Sequence, residues 1–235
     1  MRCWTATRGG EAGGQHTPHC THRLCNPPPF GKVRKDYICG VRDMAVDRSE
    51  GYEGVADEFI AARSDIDASF VRSWAREELA PRSTIVDVAC GSGVPIAQAL
   101  IEDGFIIFGI DASPSLLAAL RLRFPDVQVA CEAVQDSVFF RRAFDAAVAI
   151  GLLFLLFPED QRRVFYQVAN ALRPGGRFLF TAPRQACEWR DVLTGRQSRS
   201  LGEAEYRRLV EASGLQLVGC HERENFFYDA VKPAA

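Results

Sequence analysis

The sequence predicts an α/β fold: a doubly wound, mainly parallel seven-stranded sheet with helices on both faces and a C-terminal antiparallel hairpin. Three observations predict it. From residue 83 onward, apolar runs of strand length alternate with amphipathic runs of helix length, the pattern of successive βα units. The first apolar run, STIVDVA (83–89), leads directly into the glycine turn CGSG (90–93). The last two, LQLVGCH (215–221) and NFFYDAV (225–231), are only a few residues apart, too close for a crossover, so they pair antiparallel.

The elements follow in order. Gly51 to Arg63 places Tyr52, Val55, Phe59 and Ile60 at helical spacing, and a second helix is expected over Ile66 to Leu79, ending before Pro81. After the first strand, Val94 to Glu102 reads as a helix with Pro95 in its first turn. FIIFGID (105–111) is the second strand. Ser113-Pro114, an N-cap followed by proline, opens a helix to about Phe124. VQVAC (127–131) and Phe144 to Ile150 are the third and fourth strands. Pro158-Glu159-Asp160 opens a helix with acids in its first turn, where the dipole favours them, and the helix closes at Arg173-Pro174-Gly175-Gly176. RFLFTA (177–182) is the fifth strand, Arg184 to Leu201 a long connection, and Glu203 to Ala212 a helix stopped by Gly214.

Composition narrows the function classes. A chain of 235 residues suits one sizeable domain. A net charge of −2 gives no electrostatic argument for nucleic acid, so no nucleic-acid partner is expected. The longest apolar run, Ala146 to Phe157, is shorter than the roughly 17–25 residues of a membrane span, so no membrane partner is expected. The first 25 residues lack the apolar stretch of a secretory signal; the eight cysteines therefore read as free thiols and the location as cytoplasmic.

The composition changes near Met44. Four of the eight cysteines and three of the four histidines precede it, among many glycines and prolines and without apolar periodicity. Residues 1–43 therefore read as a disordered leader or as a stretch upstream of a natural start at Met44. Residues 44–82 read as a helical cap and 83–235 as the core domain. HTPHCTHRLC (16–25) lacks the second ligand pair that closes a structural zinc site, so no metal is expected. CNPPPF (25–30) has no strand before it and is set aside.

The glycine turn signals a nucleotide, and its neighbours discriminate which. A dinucleotide loop wants a third glycine three residues after the second; that position is Ile96. Asp87, inside the strand, would repel a pyrophosphate but suits an ammonium group. Asp111, ending the second strand, suits two ribose hydroxyls, which both kinds of nucleotide carry, so it does not discriminate by itself.

The motif set VDVACGSG, GIDASP, CEAVQDS, FDAAVAIG and LRPGGRFLF, in this order over roughly Tyr52 to Val231, resembles the class I S-adenosylmethionine-dependent methyltransferase family, whose Rossmann-like sheet ends in such a hairpin. The resemblance implies S-adenosylmethionine as methyl donor and S-adenosylhomocysteine as product. It also implies direct transfer of the methyl group to an O, N or C atom of a small-molecule acceptor. It places Asp87, Ala89, Gly91 and Gly93 at the methionine end, Asp111 at the ribose, and Ala112, Glu132 and Ala133 at the adenine. Ile150 and Gly151 would stand beside the methyl, with Tyr52 covering the cofactor and Arg63 pairing with its carboxylate. Ala89 replaces the motif's first glycine, from which a backbone without positive φ is expected there.

Each residue has a plainer reading beside this one: a helix-start carboxylate for Asp111, a solvated loop charge for Glu132, an ordinary amphipathic helix for Tyr52 and Arg63. The long connection could be a lid carrying Trp189, Arg190 and Arg196 toward an aromatic or anionic substrate, or a solvated charged loop. No general base is legible near the fourth strand; His221, Tyr228 and Asp229 are distant choices. A non-catalytic S-adenosylmethionine-binding protein and an NAD(P)-dependent oxidoreductase remain the alternatives.

Overall fold

The computed structural model describes residues 47–62 and 65–234. Arg63, the zinc-type and CNPPPF segments and the rest of the leader lie outside these residues. The N-terminal segment forms a 3₁₀ turn (Tyr52–Val55), helix α1 (Ala56–Ala62) and helix α2 (Ala68–Glu78). There follow β1 (Thr84–Val88), α3 (Ile96–Glu102), β2 (Ile106–Asp111), α4 (Pro114–Arg123), β3 (Gln128–Cys131) and β4 (Phe144–Ala149). Then come α5 (Pro158–Ala171), β5 (Leu172–Thr181), β6 (Cys187–Arg190), β7 (Gln197–Ser200), α6 (Glu203–Ala212), β8 (Gln216–Glu222) and β9 (Phe226–Val231).

Seven strands form one sheet in the order β3-β2-β1-β4-β5-β9-β8. β1 to β5 are parallel, and β9 runs antiparallel between β5 and β8. The seven strands and the closing hairpin are those expected from the sequence. β1 is buried along its whole length, as a central strand with helices on both faces must be.

Strand alternation sorts the core into two layers. Val86, Phe108, Ala147, Phe178 and Tyr228 pack toward α5 and α6, where Phe165 and Tyr206 are fully buried. Their neighbours Ile85, Ile107, Ala146, Leu179 and Phe227 pack toward α2 and α3. α2 is tied to the sheet by Trp74, whose Nε1 donates to the buried Asp229 carboxylate at 3.0 Å. Arg177 on β5 donates to the same carboxylate.

Three expectations are corrected. The stretch 184–201 is not a plain loop: β6 and β7 pair antiparallel, with Trp189 opposite Ser198. Pro95 is the N-cap of α3, not a first-turn residue, and Ile96 begins the helix. β5 starts at Leu172, directly where α5 ends, because Gly175 and Gly176 exchange backbone hydrogen bonds with Lys232 at 2.8 Å and prolong the pairing. A Cβ on Gly176 would stand 2.9 Å from the Arg173 carbonyl, so only glycine lets the chain pass.

Candidate functional site

The sheet order reverses between β1 and β4: the chain winds outward to β2 and β3 on one side and to β4 and β5 on the other. In open α/β sheets ligands bind at this switch point, beyond the carboxyl ends of the strands. A cavity of about 410 Å³ lies there, within the range of small-ligand sites. The strand ends converge on it: Ala89 and Gly91 after β1, Asp111 and Ala112 at β2, Glu132 and Ala133 after β3, Ile150 and Gly151 after β4, Thr181 at β5.

The turn after β1 is held open by backbone geometry. Ala89 and Cys90 both donate to the Ile110 carbonyl, at 2.8 and 3.1 Å, so the chain must swing sharply off the sheet. Ala89 consequently has φ 62°, against the expectation that a methyl group there excludes positive φ. Alanine in this region costs about 1–2 kcal/mol, offset by the two hydrogen bonds and by packing against the core.

Gly91 and Gly93 serve different purposes. Gly91 has φ 54° and lies under Phe59: a Cβ there would stand 3.2 Å from the ring. Gly93 does not line the cavity. Its φ is 79°, and a Cβ would meet Leu120 and Phe124 of α4 and its end at 3.1 Å, so it is a packing glycine. Asp87 is also off the cavity wall, 3% exposed within β1.

Asp111 is the anchor. Its Oδ2 accepts from Gly91 N–H and its Oδ1 from Ser113 N–H, both at 2.8 Å, linking the glycine turn to the start of α4. Burial holds its pKa above the usual carboxylate range despite these bonds. Burial likewise pushes the neighbouring Cys90 thiol up, with Asp87 and Asp111 adding to the effect, so Cys90 is a protonated packing residue.

The cap closes over this turn. Glu53 accepts from Ser113 Oγ at 2.5 Å and from Ser115 Oγ at 2.7 Å, pinning the 3₁₀ turn to α4. The Tyr52 ring meets Phe59 edge-on at 5.3 Å, and its hydroxyl donates to Asp191 Oδ2 at 3.1 Å. Asp191 begins the β6–β7 turn, where its Oδ1 accepts from Leu193 N–H and Thr194 N–H at 3.1 and 2.8 Å. Thr181 Oγ1 accepts from Gly151 N–H at 2.8 Å and fixes the turn after β4.

Trp189, Arg190 and Arg196 are not on the cavity wall. Trp189 packs on Phe154, which is, at 5.3 Å. Arg190 donates to the Gly195 carbonyl at 3.0 Å, and Arg196 to Asp47 at 2.7 Å. The distant base choices are also elsewhere: Asp229 is engaged by Trp74, Tyr228 stacks on Phe180 and His221 packs on Phe70.

A family model described as a methyltransferase domain matches residues 85–176. The match runs from β1 to the start of β5, the strands whose ends build the cavity. A putative methyltransferase of Bacillus subtilis is 30% identical over 134 residues, covering 55% of this chain and 54% of that protein. The 18S rRNA (guanine(1575)-N(7))-methyltransferase of Saccharomyces cerevisiae is 33% identical over 112 residues, covering 43% and 40%. The chain spans about half the length of the curated relatives it matches. Among solved structures, the Burkholderia thailandensis 1,6-didemethyltoxoflavin-N1-methyltransferase superposes with TM-score 0.65 at 20% identity, covering 79% of this chain and 87% of that one. An S-adenosylmethionine-dependent methyltransferase of Clostridium acetobutylicum superposes with TM-score 0.60 at 16% identity, covering 78% and 98%.

The candidate site is built with residues to which sequence reasoning gave no site role: Glu53, Asp191, Thr181, Phe59 and Phe154. Asp191 had a legible signal. DVLTG is a turn sequence whose leading Asp bonds its own following backbone, and it implies a hairpin. Glu53 had none, because its partners Ser113 and Ser115 are 60 and 62 residues away.

Proposed function

We propose that this protein transfers the methyl group of S-adenosylmethionine to a small molecule by direct displacement, releasing S-adenosylhomocysteine. The observation that carries the reading is the Asp111 carboxylate, set at the switch-point cavity beside the Gly91 turn. The residues fit this cofactor. A carboxylate has about four lone-pair sites, and two serve Gly91 and Ser113, which leaves capacity for two ribose hydroxyls. The turn offers Ala89, Cys90, Gly91 and Val94, nothing larger than valine, on the wall where the methionine end would run.

A dinucleotide fits poorly. Ile96 is a core residue of α3, 4% exposed, where a pyrophosphate loop has glycine. Among the described wall residues, five carboxylates face a single arginine, Arg48, which is itself paired with Asp136. That surplus of negative charge opposes a pyrophosphate and suits a sulfonium.

S-adenosylmethionine supplies a methyl group that is already electrophilic. The chain supplies position and dryness. Asp111 and Glu132 would hold the ribose and adenine, with Ala112 and Ala133 against the ring. Ile150 and Gly151, fixed by Thr181, stand where the acceptor would approach. Phe59, Tyr52 and Phe154 exclude water. The acceptor is a small molecule on this reading because the cavity is of small-ligand size and acidic. The four free cysteines among the described residues suit a cytoplasmic, reducing location.

Calorimetry with S-adenosylhomocysteine, NAD and NADP tests the cofactor. Saturable binding of S-adenosylhomocysteine alone is expected, and binding of NAD or NADP alone would overturn the reading. Turnover against small acceptors and against RNA then separates enzyme from binder and small molecule from nucleic acid.

A further inference from the structure

Charges on the β6–β7 side of the cavity bear on the acceptor, an inference that rests on the methyl-transfer reading. There the wall is made of Phe154 and Leu155 from the turn after β4, Leu193 from the β6–β7 turn, and Glu50 and Tyr52 from the cap. The arginines nearby are committed. Arg196 donates to Asp47, Arg184 donates to Glu203 at 2.8 Å, Arg190 caps the Gly195 carbonyl, and the Arg199 guanidinium lies over Phe157. None of them lines the cavity. Arg48, the arginine on the described wall, is paired with Asp136, so an anionic acceptor meets only a cation that is already engaged.

The wall carboxylates differ in how they are engaged. Asp191 is satisfied by its own turn and Tyr52, and Asp111 by Gly91 and Ser113. Asp67 accepts from Asn225 at 2.5 Å and Glu132 from Ser137 at 2.5 Å. Glu50 is different: it shares its cation, Arg196, which lies 3.6 Å from Glu50 and is held more closely by Asp47, at 2.7 Å. Its carboxylate thus stands beside an apolar wall with its charge only partly balanced.

We propose that Glu50 is the specificity-determining residue of the acceptor site, receiving a basic nitrogen of a small amine whose apolar body lies against Phe154, Leu155 and Leu193. Charge-assisted hydrogen bonding to an ammonium supplies the preference, and the same carboxylate repels acidic acceptors. Burial raises the Glu50 pKa, and Arg196 offsets this only in part. The shorter contact to Asp47 leaves Arg196 a weak competitor with the incoming amine.

The test uses the whole chain with saturating S-adenosylhomocysteine and two probes of matched shape, 2-phenylethylamine and 3-phenylpropionate, titrated by calorimetry. The amine is expected to bind at least about tenfold more tightly than the acid. Glu50→Gln should weaken amine binding about tenfold while leaving S-adenosylhomocysteine affinity unchanged, which also reports intact folding. Arg196→Gln, which removes the competing cation, should tighten amine binding. Equal or better binding of the acid, no binding of either probe, or unchanged amine affinity in Glu50→Gln overturns the proposal alone. Failure of the wild type to bind S-adenosylhomocysteine overturns the methyl-transfer reading and this proposal with it.

Discussion

Asp111→Asn separates what the site needs from what the fold needs. Two backbone N–H groups, Gly91 and Ser113, point at the two carboxylate oxygens at 2.8 Å. Asparagine has one oxygen, so one of these buried donors loses its acceptor, a loss of about 1–3 kcal/mol. Against that stands the burial of the charge, which raises the pKa of Asp111. A carboxyl group with a raised folded pKa favours the native state at low pH, and that contribution is lost as pH rises through the folded value. At neutral pH the wild type therefore carries a penalty that the amide does not. The two effects oppose each other, so Asp111→Asn should lower neutral-pH stability by no more than about 2 kcal/mol, and its stability relative to the wild type should improve from acid to neutral pH.

Cofactor affinity should behave differently. Hydrogen bonds to a charged acceptor contribute about 1.5–3 kcal/mol, so losing one such ribose contact weakens S-adenosylhomocysteine between about tenfold and 150-fold. Urea melts across the acid-to-neutral range and calorimetry measure both quantities. A variant that is several kcal/mol less stable at neutral pH than the wild type, yet binds S-adenosylhomocysteine within twofold of it, refutes the reasoning.

Three further predictions concern the surrounding structure. Ala89→Gly relieves the left-handed backbone at φ 62° and should raise stability by up to about 1 kcal/mol; a lowered unfolding midpoint contradicts the strain argument. Tyr52→Phe deletes the hydroxyl bond to Asp191 and should loosen the β6–β7 turn, seen as faster limited proteolysis there with little change in global stability; an unchanged cleavage rate counts against the latch. Asp103 has its pKa lowered by hydrogen bonding to Arg72 and Arg76, so its stabilising effect is present above the carboxylate range and lost as pH falls through it. Asp103→Asn should be less stable than the wild type at neutral pH, with the gap closing in acid; a gap independent of pH would show that the ion pairs are not its source.

What was legible in the sequence follows from interaction range. β1 to β5 were readable because each contains a mainly apolar run bounded by its own turn residues, a local signal that burial in a parallel sheet requires. α6 was readable to its ends because Tyr206, Leu209 and Val210 recur at helical spacing and Gly214 stops the helix. The β6–β7 hairpin was not, because CEWR and QSRS are polar and short, and their pairing depends on the Asp191 turn and on packing over the turn after β4. Ala89 misled because residue type reports the cost of a positive φ, not whether neighbouring hydrogen bonds impose one. Gly93 misled in the opposite sense: a motif glycine was assigned to ligand approach, whereas its missing Cβ makes room for Leu120 and Phe124.

The same distinction of range divides the site. The half that would hold the cofactor is written in strand ends, where one residue type at one place in the βα unit is enough: Asp111 closes β2, Glu132 follows β3, Gly151 follows β4. The half that faces the acceptor is assembled from segments far apart in the chain. Glu50 and Tyr52 reach residues 196 and 191, and Phe154 reaches Trp189. A motif therefore identifies the donor and is silent about the acceptor, because only the folded chain brings Arg196 to Asp47 and leaves Glu50 at the wall. An arginine count over 184–201 pointed to an anion; the pairing of those arginines reverses the sign. Exchanging Asp47 for Asn should show this directly: with its principal partner gone, Arg196 turns to Glu50, and discrimination between 2-phenylethylamine and 3-phenylpropionate should fall. Discrimination that survives Asp47→Asn unchanged would mean that acceptor charge is read elsewhere on the wall.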